Sequence, residues 1–178
     1  DEGFVGVMEM LNREATAGAP ETEAQAHEAT VAAGASAAGA AWRFPLRSAA
    51  LKLSAERLVD DWNRVNDGEA LAKIEGYVVG RIRMWRPNVV VTVAAEARDP
   101  LALAINQIVL RAVEHAADPT RHSDQIAQAG LQPWKVQKVY AAVREGSGTT
   151  TINTAQVTTR LGRSIGELAA PARGLVSA

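Results

Sequence analysis

The stretch "RPNVVVTVAAEARDPLALAINQIVLRAVEHAADP", residues 86–119, decides the fold. Pro87 cannot continue a helix, and the run 88–94 that follows is β-branched without alternation, the pattern of a parallel strand covered on both faces. Pro100 then opens a helix in which Leu103, Ile105, Ile108, Val109, Ala112 and Val113 share one face, ended by "ADPT" at 117–120. Asp99 stands where a helix N-cap is expected. A strand running into a helix start is where α/β proteins place their ligands. At this junction stand only Asp99, Pro100, Leu101 and Ala102.

Outward from this unit, apolar Leu71, Ile74, Val78, Ile82 and Trp85 recur at three- and four-residue steps and predict a helix over 69–86. Ser54 is placed to cap a helix over 55–65. "HSDQIAQAG" (122–130) predicts a short helix closed by Gly130, and "PWKVQKVYAAV" (133–143) a strand with Val136, Val139 and Ala141 inward. The alanine-rich 21–41 favours helix, weakened by Gly34 and Gly39, and "WRFPL" (42–46) reads as an edge strand because of Pro45. "DEGFVGVMEMLN" opens the chain as though within a loop, "REGSGTTT" (144–151) is a loop, and 158–178 contains a short helix. The alternation of helix and strand predicts an α/β three-layer sandwich on a mostly parallel, Rossmann-like sheet, with 88–94 central. A length of 178 residues with 47% hydrophobic content fits a single domain over 1–178.

Charge and composition exclude some partners. A net charge of −1 without a long Lys/Arg run argues against nucleic acid and anionic membrane. No segment approaches the roughly 20 apolar residues of a spanning helix, so a soluble protein is expected. The absence of cysteine rules out disulfides and thiolate metal sites and fits a cytoplasmic location. His27, His115 and His122 lack any His-x-x-His spacing and are expected on separate polar faces rather than bound to metal, with His122 beside Arg121 solvated. Trp85 and Trp134 are expected to fill space beside the sheet. Asp60 and Asp61 are adjacent, point about 100° apart on a helix, and cannot form a catalytic pair. The 144–151 loop lacks the Gly-x-x-x-x-Gly-Lys-Ser/Thr pattern of a phosphate cradle.

The succession "RMWRPNVVVT", then the proline-led helix with "INQIVLRAVEHAADPT", then "AGLQPWKVQKVYAAV" resembles the LmbE-like or PIG-L family of zinc-dependent N-acetylglucosaminyl deacetylases, over roughly residues 21–143. The spacing of "DPT" and "GLQPWKVQKVY" is its more specific part. The resemblance implies hydrolysis of an N-acetyl group on a sugar or related small molecule. An Ala-His-Pro-Asp-Asp-Glu motif would give zinc a His and an Asp, with the other Asp as base. A later His-Pro-Asp-His would give the third ligand and an oxyanion-stabilising His. Zinc with three ligands and an open position acidifies its water and polarises the amide carbonyl.

The chain departs from this pattern at both places. Ala-His-Pro-Asp-Asp-Glu does not occur, and an ungapped count puts His-Pro-Asp-His on Asp99, Pro100, Leu101 and Ala102, with alanine at the ligand histidine. The same count puts the family's Arg-x-x-Glu helix motif on His27 and Thr30. If "DEGF" matches the acidic loop after the family's second strand, the first strand and its motif lie upstream of residue 1 and the domain is N-terminally incomplete. The sequence therefore assigns no catalytic residue, only the family-site positions Asp99 and Ala102, and no metal or cofactor to this chain. Three readings stay open: a fragment or divergent member of the deacetylases, a non-catalytic binding or interaction module on the same fold, and an unrelated α/β domain. Oligomeric state is not legible.

Overall fold

The structure is a computed structural model that describes residues 6–10, 37–40, 54–94, 100–143, 146–157, 159, 162–167 and 170. The chain divides into two compact units, residues 1–51 with 150–178, and residues 52–149. In the first, β1 (Val7–Met10) pairs in parallel with β2 (Ala37–Ala40), Val7 opposite Ala37 and Met10 opposite Ala40. Two expectations change here: the opening stretch contains a strand rather than only loop, and the tail of the alanine-rich segment is extended rather than helical. Gly39 weakens helix at that point, and the backbone bonds to β1 replace those a helix would have made. In the same unit Val157 and Ser164 form an antiparallel bridge, and 165–167 are helical.

The second unit is built from α1 (Ala55–Val65), α2 (Ala70–Trp85), β3 (Val89–Val93), α3 (Pro100–Ala117), α4 (Ser123–Ala127) and β4 (Lys138–Ala142). Ser54 caps α1 as its sequence predicts, its hydroxyl accepting from the Arg57 N–H at 3.5 Å. The turn into α2 needs left-handed backbone at Asp67 and at Gly68, where φ is +79°, a conformation glycine adopts without a Cβ clash. Asn63 and Asn66 secure that turn. The Asn63 side chain accepts from the Ala70 N–H at 3.0 Å, satisfying one free donor at the start of α2, while buried Asn66 donates to the Trp62 carbonyl at 2.9 Å.

Helix α2 ends at Trp85, with Arg86 in the left-handed region and its N–H on the Ile82 carbonyl, just before Pro87. The predicted face is only partly the buried one: Ile74, Val79 and Ile82 are buried, whereas Trp85 is 41% exposed. Helix α3 begins at Pro100 as expected; its cap position, Asp99, lies outside the described residues. Ile108, Val109, Ala112 and Ala116 of α3 are buried, and Ala112 and Ala116 meet Val79, Ile82 and Val136 in one core, against which Val90, Val113, Trp134 and Val139 pack.

Strands β3 and β4 pair in parallel, Val89 opposite Lys138 and Val93 opposite Ala142, with α3 in the crossover between them. The α/β character of the sequence reading holds. The central, doubly covered position of 88–94 is not shown: among the described residues β4 is the one strand hydrogen-bonded to β3, and Val91 is 66% exposed while Val90 faces the core. An unbroken valine run satisfies strand preference on either face, so it does not by itself report that both are covered. In the 133–143 segment, regular pairing is confined to β4, Val136 is buried just ahead of it, and Ala141 is exposed rather than inward. Among the described residues no helix is long and apolar enough to cross a membrane.

The second unit is fastened by Arg83, whose residue is 1% exposed. Its Nε donates to the Ala116 carbonyl at 3.2 Å, Nη1 to the His122 carbonyl and the Gln125 side chain, and Nη2 to the carbonyls of His115, Asp118 and Arg121. Burial lowers its pKa from the ordinary arginine value, the charges of Asp118 and Asp124 act against that, and the guanidinium stays charged at any ordinary pH. A cation at the end of α3 also meets the negative end of the helix dipole. Arg83→Met leaves several inward carbonyls without a donor, each costing about 1–3 kcal/mol. Urea denaturation should therefore show a loss of at least about 3 kcal/mol, only partly restored by Arg83→Lys, whose ammonium has three donors.

Candidate functional site

The junction that the sequence singled out is only partly described. Asp99 lies outside the described residues, as do His27 and Thr30. Ala102 sits in the first turn of α3 and is half-buried. The segments that carry the family resemblance do meet. The Trp134 N–H donates to the Ala116 carbonyl at 2.9 Å and its indole Nε1 to the Pro87 carbonyl at 2.8 Å, while the N–H groups of Gln137 and Lys138 both reach the Asn88 carbonyl. Trp134 thus fills space beside the sheet as expected. In the "DPT" turn the Thr120 N–H and hydroxyl both donate to Asp118 Oδ1, and the Asp118 carbonyl is one of those held by Arg83.

A second place was not anticipated. Glu75 on α2, His115 in the last turn of α3 and His122 just before α4 converge, and their ligand-capable atoms lie within 4.8 Å of one another. Glu75 Oε1 is 2.6 Å from His115 Nδ1 and 3.4 Å from His122 Nε2. A carboxylate only accepts, so Nδ1 of His115 carries the hydrogen of the short bond. Arg111, one turn earlier on α3, brings Nε to 3.4 Å from the other oxygen, Oε2. The three side chains are 14%, 22% and 26% exposed, so the cluster is sheltered but reachable from solvent. His115 and His122 are therefore not on separate faces, as their sequence positions suggest. They are 40 and 47 residues from Glu75, and no local spacing announces them.

Two features fix the imidazoles. The carbonyls of both histidines accept from Arg83, and His122 holds a left-handed backbone with φ of 45°. The His122 ring lies over Gly76, where an added Cβ would stand 3.3 Å from ring atoms Cε1 and Nδ1. Burial raises the Glu75 pKa, but hydrogen bonds from His115 and His122 and the charges of His115 and Arg111 outweigh it, and the result lies below the ordinary value.

Comparison with known proteins gives the fold alone. No family model matches the chain, and no curated protein matches it. Among solved structures the chain is similar to the conserved protein TT1542 from Thermus thermophilus, with 18% identity and a TM-score of 0.52 over 98% of this chain. The chain spans 65% of the length of that protein. At this identity the likeness speaks for a shared α/β fold.

The depressed pKa of Glu75 has a stability consequence of definite sign. A carboxylate whose folded pKa is lowered contributes stability that is fully present above its unfolded value, about 4.3, and is lost as pH falls through the folded value. Metal-free Glu75→Gln should therefore melt below the parent at neutral pH, and the gap should narrow as pH drops below about 4. Thermal melts at a series of pH values in EDTA check this; a gap constant across the series would show that Glu75 is not the titrating group.

Proposed function

We propose that this chain is an LmbE/PIG-L-like domain that binds an N-acetylated sugar or related small molecule at the carboxyl end of β3. In this reading its own residues do not carry out the family's zinc-dependent deacetylation. The observation that supports it most is a parallel strand followed by a proline-led helix whose first turn presents Ala102, half-buried, where the resemblance asks for the ligand histidine. The docking of the "GLQPWKVQKVY" segment onto Pro87, Asn88 and Ala116 lends weight, because the three resembling stretches assemble into one unit. Alanine offers neither a lone pair to a metal nor a proton to an oxyanion, so this position can shape a cleft but not drive hydrolysis. The finer architecture of that reading is a Rossmann-like three-layer sandwich, and the lack of cysteine suits a reducing cytoplasm.

Ligand-observed NMR with N-acetylglucosamine should show saturable binding, weakened at least tenfold by Ala102→Trp, which sets a bulky ring at the proposed binding position. A free-amine assay with added zinc should detect no release above a protein-free control. Amine release that follows enzyme concentration would return the chain to the deacetylases, and absence of any saturable binding would remove the sugar from the proposal.

A further inference from the structure

Among the described residues, Glu75, His115 and His122 form a group with the donor chemistry, spacing and support of a metal site. We propose that these three side chains bind one zinc-class divalent cation, which ties α2, the end of α3 and the turn leading into α4 together. The site is independent of the function proposed above: Ala102 lies 13 residues before His115, about 20 Å away along α3.

The donor set comes first. Two imidazoles and one carboxylate suit zinc and its transition-metal neighbours, whereas calcium and magnesium prefer all-oxygen shells. Zinc bonds of about 2.0–2.1 Å place neighbouring tetrahedral ligands about 3.3–3.4 Å apart. The Glu75 Oε1 to His122 Nε2 separation of 3.4 Å already matches. The 2.6 Å contact with His115 Nδ1 is a hydrogen bond, and it must open by less than about 1 Å when the ion replaces the proton. Three protein ligands with partial access to solvent leave the fourth position to water.

The support around the ligands points the same way. Arg111 near Oε2 orients the carboxylate and leaves Oε1 turned to the histidines. Arg83 grips the carbonyls of His115 and His122, so both ligand-bearing backbones are placed before any ion arrives. The left-handed backbone at His122 is a local strain of the kind that persists where surrounding structure holds it. Gly76 gives its imidazole room against α2. The positive charge of Arg111 works against a cation, which sets this site below the affinity of an all-anionic one.

The test uses the full chain, dialysed against EDTA and titrated with zinc chloride. Calorimetry and elemental analysis should give one bound zinc per chain, and the melting temperature should rise with zinc concentration. Glu75→Gln, His115→Ala and His122→Ala should each weaken binding at least tenfold, Gly76→Ala should weaken it by pushing the His122 ring aside, and His27→Ala should leave it unchanged. Cobalt as a stand-in should give visible absorption typical of four or five ligands. Should a variant fail to fold, the imidazole nitrogen resonances of the parent decide: zinc must shift those of His115 and His122 together and spare His27. Less than stoichiometric zinc, unchanged affinity in the three ligand variants, or shifts confined to His27 would overturn the site.

Discussion

The second unit depends on one buried guanidinium. Arg83 enters from α2 and gathers carbonyls from the end of α3, from the "DPT" turn and from the residue that precedes α4. A helix end turned inward carries carbonyls with no partner in the helix, and a compact chain must satisfy them or lose the burial. Arginine does this with five N–H groups on a rigid plane, so satisfying the carbonyls also fixes where the turn runs. The apolar core of Val79, Ile82, Ala112, Ala116 and Val136 then closes beside it. Small residues on α3 at Ala112 and Ala116 let the two helices approach, and Val136 brings the β4 segment onto the same core.

The same clamp determines what lies outside it. The main-chain carbonyls of His115 and His122 are held on one guanidinium, which helps bring two residues distant from Glu75 in the chain into one cluster. The strain at His122 and the bare backbone at Gly76 belong to the same arrangement: a Cβ at 76 would crowd the ring at 3.3 Å. The carboxylate, drawn by two imidazoles and Arg111, titrates below its ordinary range despite its shelter. A core fastening and a polar cluster are thus two consequences of one residue's position.

The β3–α3 junction and the Glu75 cluster differ in how the sequence marks them. Ala102 is marked by a resemblance, although alanine has no chemistry of its own. Glu75, His115 and His122 have that chemistry but carry no mark, since nothing in their local sequence spacing relates them.

The sequence by itself determined what is local. Ser54 as a cap, Pro100 as a helix start, the apolar steps of α3 and the β-branched run of β3 act through backbone preference and near neighbours, and each is legible from a few residues. The α/β alternation is legible in the same way. What only the tertiary structure decided depends on residues far apart in the chain. Whether β3 is covered on one face or two rests on what packs against it, and Val91 stays exposed although it is as apolar as buried Val136. Ala37–Ala40 is a strand because β1 offers it partners, not because alanine prefers one. The carboxylate–imidazole cluster exists because Arg83 closes gaps of 32 to 42 residues, and no periodicity encodes a bond of that span.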